Sequence, residues 1–208
     1  PYRSFLQREI PAADAAAFRR DPQRLVAWCR DSLTLRPELC TVSTTISPEG
    51  VWRSRTADKP SRKIFFVAAA RSLGIPAWID PVTGNLFYRH AGKDVPVDFE
   101  SANDRQMETG RLKLRYEPIP RLDDPEYFRH FTLSRFDGQS FALLNYPDFE
   151  PWSARFDTPT DLETGYYMLA TGSRLADGSV LANVSFLNIG PNRTTETDLP
   201  MRDNSEAV

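Results

Sequence analysis

The chain is poor in the residues that most often announce chemistry. Of its 208 residues two are cysteines, Cys29 and Cys40, and two are histidines, His90 and His130. The histidines lie far apart and neither has a cysteine near it, so no metal-ligand spacing exists and no metal is expected. No organic cofactor is expected either. Cys29 stands among apolar residues of a helical pattern, where a small buried hydrophobe is a commoner role than a disulfide half. Whether Cys29 and Cys40 pair is left open. An excess of one charge is missing too: 26 Lys and Arg against 28 Asp and Glu give a net charge of −2. With no basic stripe, nucleic acid is a poor partner. No apolar run is long enough to span a bilayer and no secretory signal pattern is visible. Internal repeats and low-complexity tracts are absent. What remains is 40% apolar and 26% charged, an ordinary globular composition with length for one or two domains. Because the chain opens on Pro1, it is expected to be a piece of a longer, multidomain protein.

Hydrophobic periodicity divides the chain into a helical first half and a strand-rich second half. An Ala-rich stretch predicts a helix over 12–20. Asp21 and Pro22 are good helix-start residues, and Leu25, Val26, Cys29 and Leu33 follow at helical spacing. Residues 34–57, with breakers Pro37, Pro48 and Gly50, read as irregular or weakly extended. The run SRKIFFVAAARSLGIPAW, residues 61–78, predicts a helix with no polar side chain from Ile64 to Ala70, ended by Gly74. A helix apolar on all sides is expected to be central and covered. Strands are predicted at 76–80, 85–90 and 95–100. Residue 111 onward alternates, the proline-rich EPIPRLDDPEY reads as a connector, and further strands are predicted at 128–136, 140–145, 166–171, 180–188 and 195–201. Asp137-Gly138 and Asp177-Gly178 are hairpin signals. The pattern predicts an α+β protein with a domain over 1–117 and a β-sandwich of immunoglobulin or prealbumin type over 118–208.

The helix, the Gly74-Ile75-Pro76-Ala77 stretch and VPVDF at 95–99, in that order, resemble the core of the transglutaminase-like superfamily, which has a papain-like fold. In that family a cysteine opens the buried helix, and later strands supply a histidine and an aspartate. The resemblance covers roughly residues 50–100, and Trp78 stands where the family usually has arginine. Longer stretches are similar to multidomain Bacteroidetes proteins that carry such a domain followed by a β-sandwich. They include SPEGVWRSRTADKPSRKIFFVAAARSLGIPAWIDPVTGN, FTLSRFDGQSFALLNY, GYYMLATGSRLADGSVLANVSFLNI and TTETDLPMR. That resemblance implies a periplasmic, cell-surface or secreted setting in the cell envelope.

The family's chemistry places its thiolate at a helix start because unpaired N–H groups and the helix dipole lower the thiol pKa. A histidine then takes the proton and an acid orients it. Family spacing from Arg71 lands on Lys59, and Gly84 or Asn85 occupies the histidine position, with Asp98 at the acidic one. Two of the three groups are therefore replaced, and a pseudoenzyme is expected. Ser61, with Lys59 or His90 as base, is the only rescue the sequence offers, and Ser61 with Asp58 more commonly caps a helix. Asp98 is expected to pair with an arginine such as Arg62 or Arg71. Three functions compete. One is a non-catalytic module holding a peptide or glycan through Trp52, Arg62, Trp78, Asn85, Phe87, Tyr88 and Asp98. Another is a cryptic hydrolase of peptide or amide bonds. The last is a spacer positioning other domains of the parent chain. Tyr146, Trp152, Tyr166 and Tyr167 are carbohydrate candidates on the sandwich.

Overall fold

The structure, a computed structural model, describes residues 2–39, 44–100, 107–175 and 177–203. It is a mixed α+β fold in two compact units, Pro1–Gln106 and Met107–Val208. Among the described residues no helix is long and apolar enough to cross a membrane.

The first unit opens with α1 (Tyr2–Glu9), which the periodicity does not reveal, followed by α2 (Ala12–Arg20) and α3 (Gln23–Ser32). Asp21 is expected as the N-cap of α3, but the N-cap is Pro22, and the Asp21 carboxylate accepts from Gln23 N at 3.2 Å just before the helix. The stretch expected to be irregular contains a short parallel pair, β1 (Thr34–Leu35) and β2 (Thr56–Ala57), a 3-10 turn at Pro37–Leu39, and α4 (Pro48–Ser54). Pro48 acts there as a helix starter, because Ser47 caps Gly50 N at 3.1 Å and a first-turn proline lacks only an N–H that has no intrahelical partner. Cys40 lies outside the described residues.

The long helix α5 (Lys59–Ser72) is the centre of this unit. Phe65, Phe66, Ala69 and Ala70 on it are fully buried, and α1, α3, α4 and the first strand of a sheet pack against it. It ends as a Schellman motif: Ile75 N donates to Ala70 O at 2.9 Å and Gly74 takes φ 81°. Three antiparallel strands follow in the order β3 (Ala77–Ile79), β4 (Leu86–His90) and β5 (Lys93–Pro96). The third stops at Pro96 and does not run to residue 100. Ala91 and Gly92, both at positive φ, make the turn between β4 and β5.

The second unit begins earlier than residue 118. β6 (Thr109–Arg115), expected to belong to the first domain, is the middle strand of a three-stranded sheet, antiparallel to β9 (Thr160–Glu163) and parallel to β12 (Thr194–Asp198). Gly110 admits this arrangement: a Cβ there would sit 2.1 Å from the Gly190 carbonyl oxygen. The other sheet is antiparallel, in the order β11 (Val180–Ile189), β10 (Gly165–Arg174), β7 (Phe131–Phe136) and β8 (Phe141–Leu143). A one-turn helix, α6 (Trp152–Arg155), precedes β9. The proline-rich connector is held in place: Tyr116 Oη donates to Leu122 O at 2.7 Å, and Asp124 accepts from Ser153 N at 3.0 Å.

Tyr127 anchors this unit. It is fully buried, its hydroxyl accepts from Leu133 N at 3.0 Å and donates to Leu144 O at 2.7 Å, and burial pushes its pKa up. Its ring meets Phe128, Phe131 and Tyr146 edge-on at centroid distances of 4.7, 5.3 and 5.3 Å. Removing the hydroxyl strands a buried N–H, so Tyr127→Phe is expected to cost about 1–3 kcal/mol in chemical denaturation despite keeping the ring.

His130 sits nearby as a neutral acceptor. Its Nδ1 takes a hydrogen bond from Glu126 N at 2.9 Å, and burial, then Arg129, hold its pKa below the ordinary value. A lowered folded pKa means that the stabilisation is present above the unfolded value of about 6.5 and is lost as pH falls through the folded one. Thermal melting between pH 7.5 and 5 should therefore fall less steeply in His130→Asn, whose Oδ1 accepts at any of these pH values.

Candidate functional site

The first turn of α5 is where the resemblance would put a nucleophile. The backbone there is closed by its own side chains. Asp58, the N-cap, is 1% exposed and accepts from Ser61 N at 2.6 Å. Ser61 is fully buried, and its hydroxyl accepts from Ile46 N at 2.8 Å. The pair thus caps the helix through Asp58 and ties residues 44–47 to it through Ser61. A hydroxyl with no exposed surface and a structural acceptor role is not presented to a substrate.

The other expected groups do not gather around it. Lys59 is exposed. Lys63, one turn on, donates to Gly84 O at 2.6 Å. Its pKa is lowered by burial first and then by Arg62 and Lys59. Asn85 directly follows that glycine, whereas His90 is exposed at the other end of β4, opposite Lys93 at the hairpin. At ~3.3 Å per residue, five residues separate Asn85 and His90 by roughly 16 Å. Arg62 is 6% exposed; its Nη2 donates to Glu100 Oε1 at 2.5 Å and its guanidinium lies 4.5 Å from the Phe99 ring centre. Arg71 donates through Nε to Ala77 O at 2.7 Å, which joins the end of α5 to β3. Arg62 and Arg71 are thus engaged with Glu100 and a backbone carbonyl. Asp98 itself turns the chain, accepting from Glu100 N at 2.9 Å.

The aromatic candidates also separate. Tyr88 is buried, its hydroxyl donating to Gln23 Oε1 at 3.2 Å. Trp52 packs on Trp28 at 5.2 Å and carries the Arg55 guanidinium 3.8 Å above its ring. Burial lowers the Arg55 pKa. Trp78 and Phe87 are cross-strand neighbours stacked at 5.8 Å, and both remain half-exposed. In the second unit Tyr146 and Tyr167 are buried, while Tyr166 is 46% exposed. Cys29 is buried and its thiol pKa is pushed up by desolvation, which removes it as a nucleophile. Among the described residues no group of three His, Cys, Asp or Glu side chains could hold a metal ion.

What the first unit does present is a groove of about 370 Å³ along one flank of α5, lined by Tyr2, Ile64, Val67, Arg71, Trp78 and Ile79 among others. The helix is therefore not covered on all sides. Ile64, Val67, Ala68 and Arg71 fall at i, i+3, i+4 and i+7, one stripe of the helix surface. Nothing in the sequence marks that stripe as open, because its covering depends on where α1 and β3 pack. The groove runs beside the free edge of β3. Asp80 N bonds to Asn85 O and Arg89 N to Pro76 O, so the even residues of this strand face β4. The backbone groups of Ala77 and Ile79 then point away from β4. Arg71 takes the Ala77 carbonyl. A depression of about 510 Å³ in the second unit is polar, and Arg115 and Asp198 in its lining pair at 2.9 Å.

No family model, curated protein or solved structure matches the chain.

Ser61 gives the sharpest test of whether the sealed turn is chemical or structural. Ser61→Ala is expected to lower stability by about 1–3 kcal/mol, since Ile46 N loses its acceptor. A fluorophosphonate probe is expected to label neither form; serine-dependent labelling of the parent protein would make the turn a reactive one.

Proposed function

We propose that the chain is a non-catalytic binding module whose recognition site is the groove between α5 and β3, and that its ligand is an extended peptide. The observation that carries this reading is a contrast along one helix. Its N-terminal turn is closed by Asp58 and a fully buried Ser61, while its flank one face away is open and apolar. The groove chemistry suits an extended chain. A short sheet edge offers the Ile79 backbone groups for strand addition, alternate side chains meet Ile64, Val67 and Trp78, and Arg71 supplies one positive rim. A glycan is less well served, since the lining has few polar groups to hold hydroxyls.

The reading also takes the chain to be of transglutaminase-like descent, with the reactive groups replaced, followed by a β-sandwich, in an envelope protein whose other domains it positions. Support comes from the central helix running through Gly74-Ile75-Pro76-Ala77 into an antiparallel sheet, and from two sheets whose buried residues alternate along their strands.

Selection from a displayed random peptide library is expected to enrich sequences with apolar residues at alternate positions and an acidic residue nearby. A peptide so selected should lose about tenfold or more in affinity, about 1.4 kcal/mol, for Val67→Glu and for Trp78→Ala, and bind Tyr166→Ala unchanged. Failure to enrich, or enriched peptides indifferent to Val67, would refute the groove as the site.

A further inference from the structure

Apart from the three-residue β3 beside the groove and the two-residue β1 and β2, the sheet edges among the described strands are guarded, with one exception. β8 is three residues long; β5 carries Lys93, Asp94 and Pro96; β9 carries Asp161 and Glu163; β12 carries Glu196 and Asp198. Short length, charge and proline are the usual devices that stop an edge from pairing with another chain. β11 is the remaining edge, ten residues reading VLANVSFLNI, with no charge, no proline and an unbroken ten-pair register to β10.

Its unpaired backbone groups can be located. Gly172 N donates to His130 O, so the even residues of β10 bond toward β7 and the odd ones toward β11. The odd residues of β11 are their partners, and the even ones turn their N–H and C=O outward. The Asn188 carbonyl agrees: it accepts from Thr195 Oγ1 at 3.2 Å, on the side away from β10. The even side chains lie on the outer face of the sheet, where Val180, Val184 and Phe186 are 51, 53 and 53% exposed. On that face Tyr166 and Phe186 stack at 5.7 Å with an interplanar angle of 8°, and Phe141 is tilted 47° and 42° to them.

We infer that β11 pairs antiparallel with β11 of a second copy of this chain about a two-fold axis at Val184. The pattern is self-complementary about that residue. Phe186 falls opposite Ala182, Leu181 opposite Leu187, and Asn183 opposite Ser185, so large meets small, apolar meets apolar and amide meets hydroxyl, and each face of the sheet continues across the axis. Two four-stranded sheets become one of eight strands, and the outward N–H and C=O groups of Ala182, Val184 and Phe186 find partners. The inference does not depend on the groove of the first unit.

Sedimentation of the full chain is expected to give twice its 23.7 kDa mass at tens of micromolar. Val184→Lys, on the exposed face and outside the core, should halve that mass with the melting curve of the second unit otherwise intact, and Val184→Thr should leave the mass doubled. Register is read by Val184→Cys, whose two copies would sit opposite each other at a Cα separation of about 5.5 Å, within disulfide range. It should cross-link under mild oxidation, whereas Val180→Cys, opposite Asn188, should not. A monomeric parent chain overturns the inference. So does a dimer that ignores Val184→Lys or that cross-links equally through both cysteines.

Discussion

Everything in the first unit hangs on how the start of α5 is sealed. A buried helix start leaves several N–H groups without partners, and in a dry interior each one is costly. Asp58 takes one of them, and Ser61 lends its hydroxyl to Ile46 N on the segment leading into α4. The turn is thereby a joint between two stretches of chain. With that joint closed, Phe65 and Phe66 can be inserted among α1, α3 and α4, and β3 can be tied to the far end of α5 through Arg71. The functional reading follows from the same fact, because the accessible surface of the helix is displaced from its tip to its flank.

Much of this frame was legible in the sequence. Asp58 and Gly74 each mark a helix boundary, because caps and positive-φ positions depend on the residue's own chemistry. The resemblance to transglutaminase-like proteins rested on the same central helix. What stayed hidden depends on long-range packing. Trp52, Arg62 and Tyr88 looked like a ligand-binding set, but each is consumed by a neighbour distant in sequence: Trp28 and Arg55, Glu100, and Gln23. His90 and Asn85 are close along the chain, yet a strand holds them at its opposite ends. Pro48 reads as a breaker by itself, since a proline stops one element and starts another, and only the preceding Ser47 tells which.

The second unit shows the complementary failure. Its strands were mostly found, since alternation is a local signal, but their allegiance was not. Nothing near residue 110 says that the partners of β6 lie beyond residue 159. The proline-rich stretch after it looked like a tether, although Tyr116, Asp124 and Tyr127 bind it into the fold by side-chain contacts that composition does not reveal. The outer face of β10 and β11 is likewise invisible to alternation alone. There the positions that should be polar are Val180, Val184 and Phe186, and only the sheet order makes β11 an edge.

Gly110 carries a different lesson. The chain's first and last strands in this unit run side by side there, close enough that the Gly190 carbonyl occupies the volume of any side chain. A mutational tolerance map would mark residue 110 as among the most restricted in the protein, though it touches no ligand and performs no chemistry. Intolerance at such a crossing measures crowding, and anyone ranking positions by how little variation they accept would be led away from the groove and toward a purely architectural pinch point.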